Sequence, residues 1–272
     1  MNSCFSVLMS IYSKENVKYF DRAMISIWDE QTIKPSEIIL VEDGKLTNDL
    51  YNSINHWKEK IGKSFRIIPL EKNLGLGNAL NIGLQKCKYE LIARMDTDDI
   101  CANDRFEKQL KIFKNSDIDI CSSWISEFDR NENEIISYRK LPEKHLDIVR
   151  FAKHRCPINH PAVMYKKQAV KDAGGYVEMI FLEDYYLWGR MILNDAKFYN
   201  IEEPLVNMRA GYGQLERRHG MKYFLSEYSL HKTFLSIGLI NYLEFTQNII
   251  VRFSTRMLPK SILKHVYKTL RG

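Results

Sequence analysis

Three aspartates, Asp96, Asp98 and Asp99 in "ELIARMDTDDICANDRF", directly follow the apolar run Leu91, Ile92, Ala93. Carboxylates this close repel one another unless a cation lies between them. Hard oxygen ligands suit Mg²⁺ or Mn²⁺, and such sites use one or two protein carboxylates together with phosphate oxygens. A metal-bound diphosphate explains the crowding economically. On extended chain Asp96 and Asp98 point the same way and Asp99 the other. The first two are therefore the expected cation-facing pair, and Asp99 is expected to cap the next helix. The plain alternative is that all three are helix-capping or solvated turn charge.

Other stretches have chemistry of their own. Glu42 and Asp43 end the apolar run of "SEIILVEDG", where a carboxylate can accept hydrogen bonds from a base or a ribose; "VEDG" is also an ordinary turn. In "EKNLGLGNALNIGL", Gly75 and Gly77 allow close backbone approach to a ligand, with Asn78 and Asn81 following on a helix. The third glycine of a dinucleotide fingerprint is missing. Glu183 and Asp184 fall in the first turn of "FLEDYYLWGRMILNDA", where the helix dipole stabilises negative charge. Trp188, four residues later, falls on the same helical face as Asp184, either as a platform for a sugar ring or as core packing. His160 in "INHPAVM" reads first as a hydrogen-bonded structural histidine and second as an acceptor or metal contact.

The elements that must position these residues alternate. Apolar runs at 5–12, 38–41, 65–70 and 90–95 read as strands, and helical periodicity separates them. Repeated β-α-β order predicts a mostly parallel sheet with helices on both faces, and ligands beyond the carboxyl ends of its strands. The acidic clusters then share one rim. Further on, "IDICSSWISEFD" and "NEIISYRKL" predict two strands around a turn, and beyond Gly220 the chain reads as mainly helical.

Taken together, "SVLMSIY", "VEDG", "NLGLGNALNIGL", "ARMDTDD", "NHPAVM" and "LEDYYLWGR" resemble, in order and spacing, the family 2 glycosyltransferases. The resemblance covers roughly residues 4 to 220. In particular the chain looks like the bacterial branch that builds O-antigen, capsule or exopolysaccharide repeat units. It implies an α/β GT-A fold: a Rossmann-like, mostly parallel mixed sheet with helices on both faces, here as a catalytic domain over 1–220, with a helical extension over 221–272. It implies an inverting hexosyltransferase using a UDP-sugar and Mn²⁺ or Mg²⁺. Residue by residue, it implies that Tyr12 packs on the uracil and that Glu42, Asp43 and Asn73 lie on the nucleoside side. It implies further that Asp96 touches ribose or metal, that Asp98 coordinates the metal, and that Asp184 is the catalytic base. On the acceptor side it implies His160, Glu183, Trp188 and Arg190. Arg209, Arg217 and Arg218 of "RAGYGQLERRHG" become diphosphate candidates. Asn78 stands where many relatives carry Arg, so no diphosphate contact is assigned there.

Composition bounds the rest. The chain has 272 residues and is 45% hydrophobic, enough for a well-filled core. Its five cysteines are odd in number and lack zinc-ligand spacing, which predicts reduced thiols in a cytosolic protein. No run reaches the length of a membrane span and no export signal is recognisable, so a protein that neither crosses a bilayer nor leaves the cell is expected. The net charge of +6 concentrates in "RFSTRMLPKSILKHVYKTLR" from Arg252, which has no acid. This tail is either a basic amphipathic helix on an anionic membrane or a helix packed on the domain. No nucleic-acid motif accompanies the charge. The implied partners are a UDP-sugar donor, an undecaprenyl-diphosphate-linked sugar acceptor and the cytoplasmic face of the inner membrane. The oligomeric state is left open.

Three rival functions leave distinguishable traces. An aspartyl-nucleophile phosphatase or phosphotransferase usually has Thr or Val two residues after the second Asp, where this chain has Ile100. A non-catalytic sugar-nucleotide binder has no need of Asp98 and Asp184 together. A sugar nucleotidyltransferase requires a glycine- and basic-rich signature near the first strand, which "SVLMSIYSKEN" lacks.

Overall fold

The computed structural model describes residues 4–210 and 219–257. Strands β1 (Phe5–Ile11), β2 (Glu37–Glu42), β3 (Phe65–Pro69) and β4 (Leu91–Arg94) pair in parallel in the spatial order β3-β2-β1-β4. The sheet continues through β8 (Met164–Lys166), β6 (Ile120–Phe128), β9 (Phe198–Arg209) and the two-residue β5 (Ile100–Cys101), while β7 (Ile135–Arg139) forms a hairpin with β6. β8 runs antiparallel to both β4 and β6, so the sheet is mixed beyond its parallel half.

The parallel strands are apolar throughout because helices cover both faces. Alternation divides their side chains between two cores. Val7, Met9, Ile38 and Leu40 pack with α1 (Val17–Met24), α2 (Asn48–Ile61) and α4 (Arg105–Asn115). Leu8, Ile39 and Val41 pack with α3 (Leu76–Lys86), α5 (His145–Ala152), α6 (Lys167–Asp172) and α7 (Glu183–Leu193). A Cβ on Gly83 of α3 would lie 2.5 Å from Leu8 Cδ1 and 2.7 Å from Val41 Cγ2, so glycine brings this helix unusually close to the sheet. The close approach fixes the height of the helix's first turn above the strand ends.

Of the last described helices, α8 (Met221–Ser236) packs on α7 through Tyr185, Tyr223, Leu230 and Phe234, and α9 (Tyr242–Met257) packs on α8 through Phe245 and Phe253. Chain beyond Gly220 is helical as expected, over its described part. The basic tail beyond Met257 lies outside the described residues, as do Arg217 and Arg218. Among the described residues no helix is long and apolar enough to cross a membrane.

Candidate active site

The acidic loop follows β4 and rests on a buried polar plug. Arg105, fully buried, donates from Nη2 to the carbonyls of Arg94 (2.8 Å) and Val163 (3.2 Å) and from Nε to Gln109 Oε1. Gln109 in turn donates to Cys121 O and Ala162 O. Between them the two side chains satisfy four backbone carbonyls around the end of β4, which fixes where that strand stops.

After Met95 the chain bends instead of continuing as a strand. This corrects the expectation for Asp99: alternation does not apply across a bend, and the carboxylates of Asp96, Asp98 and Asp99 converge, one oxygen from each lying within 4.8 Å of the others. Nor does Asp99 cap α4, whose N-cap is Asp104. Asp99 is 2% exposed; its Oδ1 accepts from the Arg209 backbone N–H at 2.8 Å, and its Oδ2 is buried without a partner. Burial, then Asp96 and Glu15, pushes the Asp98 carboxyl up to about 7. Asp99 is raised well above the usual carboxylate range by burial and its two neighbours. Converging carboxylates with raised pKa values and an orphaned oxygen are the donor set a hard divalent cation fits. Asp96 is also ion-paired with buried Arg94.

The loop floors a cleft of about 650 Å³. Tyr12, 43% exposed, stands at the end of β1 on one wall; Asp43, Asn73 and Gly75 form another, and Arg209 closes the far side. Four expected donor-side residues, Tyr12, Asp43, Asn73 and Arg209, and the acidic loop are thus brought together. Asp43 has a mechanical duty there: its carboxylate accepts from Leu74 N–H (2.6 Å) and Gly75 N–H (3.1 Å), and Asn73 donates back to its carbonyl. Gly44, at φ +87°, makes the tight turn below, where a Cβ would meet Asn73 N at 2.7 Å. Glu42 corrects the expectation: it is buried on β2 and does not line the cleft, and burial raises its carboxyl. The Arg209 guanidinium lies 3.7 Å from the Tyr19 ring and 4.5 Å from that of Phe128, with Nε on Asp98 O. It contributes positive charge over the acids from a fixed seat. Tyr19, Glu15 and Thr97, which donates to Glu15 Oε2, also line the cleft, and their sequence context carried no signal for it.

The acceptor-side expectations fare unevenly. Asp184 lies in the first turn of α7 and lines a second, smaller cavity, of about 270 Å³. Glu183 lies against α3: its Cβ and Cγ would lie under 4 Å from a Cβ on Gly77, just after Gly75 and Leu76 of the larger cleft. The start of α7 thus touches the second cavity through Asp184 and the first turn of α3 through Glu183. Phe181, just before the helix, holds φ +66° and stacks on Tyr223; a backbone conformation this costly marks an entry angle imposed on Asp184. Trp188 is 0% exposed, so its ring packs in the core and presents no stacking face. Arg190 binds the carbonyls of Ala173 and Gly175, clamping the loop between α6 and α7 instead of facing an acceptor. His160 is buried, bonded through Nε2 to Tyr176 OH and edge-on to Trp188, and burial holds it well below its ordinary pKa. Trp188 falls on the side of α7 that the sheet's second core occupies, His160 packs edge-on against it from the short turn at His160–Ala162, and Arg190 is drawn to the carbonyls of the loop before the helix. Arg94 is a further residue that sequence reasoning missed, a buried guanidinium whose charge acts on Asp96, Asp99, Tyr176 and Glu183.

Comparison with known proteins gives this geometry a context. A model of "Glycosyl transferase family 2" matches residues 6–173. The chain is 39% identical to the Escherichia coli UDP-Gal:alpha-D-GlcNAc-diphosphoundecaprenol beta-1,3-galactosyltransferase, over 97% of this chain and 95% of that protein. It is 35% identical to the amylovoran biosynthesis glycosyltransferase AmsE of Erwinia amylovora, over 97% and 98% respectively. Among solved structures, S. aureus TarS 1-349 in complex with UDP-GlcNAc superposes with a TM-score of 0.67 at 18% identity, covering 93% of this chain and 72% of that one.

Proposed function

Because the chain belongs to glycosyl transferase family 2 and folds as a GT-A enzyme, we propose that it transfers galactose from UDP-galactose to a sugar linked through diphosphate to a polyprenol lipid. The product is a β-linkage in a bacterial surface polysaccharide. The observation that carries this reading is the 39% identity with the E. coli galactosyltransferase over 97% of this chain and 95% of that protein.

In this reading Tyr12 stacks on the uracil, while Asp43 and Asn73 shape the nucleoside pocket. Asp98 and Asp99, with Asp96 beside them, hold a divalent cation, Mn²⁺ or Mg²⁺, which when bound supplies positive charge against the departing diphosphate. Asp99 joins the ligand set here on the strength of its convergence with the other two acids. Arg209 adds fixed positive charge to the same region. Asp184 takes the proton from the acceptor hydroxyl as it attacks the anomeric carbon from the side opposite UDP. The acceptor oxygen forms the new bond as the bond to the diphosphate breaks, and the anomeric centre inverts. The enzyme works at the cytoplasmic face of the inner membrane, where a lipid-linked acceptor presents its sugar.

The test is UDP release from a panel of UDP-sugars with Mn²⁺, with and without a GlcNAc-diphosphate-lipid. Acceptor-dependent release with UDP-galactose is expected, and Asp184→Asn should lower kcat by about 10² to 10⁴ while UDP binding persists. Release of inorganic phosphate from phosphomonoesters in place of transfer would refute the reading.

A further inference from the structure

The cavity beside Asp184 is lined by more positive charge than a neutral sugar needs. Arg139 and Lys140 enter it from the end of β7, Arg155 from the loop after α5, and Arg252 and Arg256 from α9, against the two carboxylates Asp184 and Glu227. Glu227, 3% exposed, is shared between Arg252 Nη1 (2.7 Å) and Arg256 Nε (2.8 Å), so one acid seats two guanidinium groups and leaves an excess positive charge. Among the described residues Arg139 and Lys140 have no carboxylate partner. His231 in the same lining is pushed down to about 3, by burial and then by Arg252 and His154, as a ring in a cationic field should be. The rim is apolar: Phe181 is 46% and Tyr138 42% exposed, with Ile180 and Ile136 exposed beside them.

A cationic pocket with an apolar lip, next to a carboxylate that removes a sugar's proton, fits an anion attached to a lipid. Stereochemistry places the parts. The hydroxyl that attacks and the anomeric oxygen that bears the diphosphate are on different carbons of one sugar ring, so the anion belongs within about one ring's width of Asp184. Resting on the reading of the site as a transferase, we propose that this pocket is the seat of the acceptor's diphosphate. Arg139 and Arg155 are its principal anion contacts, Arg252 is a supporting one, and Phe181 and Tyr138 flank the start of the lipid chain. Guanidinium groups suit the task because they bind phosphate oxygens in pairs.

The experiment compares Arg139→Ala, Arg139→Lys and Arg155→Ala with the wild type in detergent, using a short-chain GlcNAc-diphosphate-lipid and UDP-galactose. A charge-assisted hydrogen bond is worth roughly 1.5–3 kcal/mol, so each alanine variant should raise the acceptor KM about tenfold or more. The KM for UDP-galactose should stay within about twofold, and Arg139→Lys should recover part of the loss. Inorganic pyrophosphate, titrated calorimetrically with UDP saturating the donor cleft, should bind the wild type and lose affinity in the alanine variants. Unchanged acceptor KM in both alanine variants would overturn the proposal, as would pyrophosphate that binds all proteins equally. So would variants that lose only their binding to phosphatidylglycerol vesicles, since the pocket would then serve bulk lipid head groups. The pyrophosphate arm needs no turnover, so a wild type that binds pyrophosphate yet transfers nothing to the lipid acceptor sinks the proposed function and leaves the anion seat standing.

Discussion

Replacing Asp98 with asparagine should make the metal-free protein more stable, not less. In the folded chain its carboxyl is pushed from an ordinary 3.8 up to about 7 by burial, Asp96 and Glu15. A group raised on folding favours the fold when protonated, below about pH 4, and that contribution is lost as pH rises through 7. At pH 8 the penalty for ionising it amounts to about 4 kcal/mol. Asparagine keeps the shape and removes the charge, at a burial cost of about 1–2 kcal/mol for its own amide. The net gain is then about 2–3 kcal/mol, or roughly 5–10 °C in Tm for a chain of this size. The assay is thermal unfolding at pH 8 in EDTA and again with excess Mn²⁺. Wild type should melt lower than Asp98→Asn in EDTA and rise with Mn²⁺, because a cation between ionised carboxylates turns their repulsion into ligation. The variant should respond weakly to the metal. If Asp98→Asn melts at or below wild type in EDTA, or rises as far with Mn²⁺, the acids are not a strained, cation-adapted cluster.

Three further outcomes follow from other parts of the molecule. Tyr12→Ala should weaken UDP binding about 5- to 100-fold, the range of one base–aromatic stack, measured by calorimetry; unchanged affinity would remove Tyr12 from the uracil. Gly83→Ala, whose Cβ would press on Leu8 and Val41, should cost about 1–3 kcal/mol in urea unfolding by overpacking. His231, kept neutral down to about 3, favours the fold above its ordinary value near 6.5 and withdraws that support as pH falls. Moving from pH 7 to pH 5 should therefore cost about 2 kcal/mol in wild type that His231→Phe does not lose, read as the difference between paired denaturant curves.

The parallel half of the sheet was legible because each strand carries its own buried run and each helix its own apolar stripe. β9 was not. Its middle, Glu202, Glu203 and Pro204, is exposed where the pairing with β6 slips register around Trp124, and the bulge erases the alternation that marks a strand. The acidic loop was legible as chemistry and misread as geometry: three acids after a strand announce a site, yet whether they alternate or converge depends on a bend after Met95. On α7 the pattern gave the helix and the position of Asp184 but not the packing that buries Trp188 and turns Arg190 into a clamp. The pocket's arginines come from β7, the loop after α5 and α9, three separate stretches of chain, and no local window contains their convergence.

The order in which the chain lines the two cavities has a consequence for how such enzymes diversify. Apart from Met208 and Arg209, the larger cleft is lined by residues no later than Asp99, and the pocket beside Asp184 by residues from Tyr138 onward, most of them from Phe181 to Arg256. On the proposed reading, donor and acceptor choice are written in successive stretches of the gene, whose products touch where Gly77 lies against Glu183. Recombination between related loci with a crossover between these stretches would pair one enzyme's nucleotide sugar with another's lipid-linked acceptor. A single exchange would then change a bond in the polysaccharide without rebuilding either pocket.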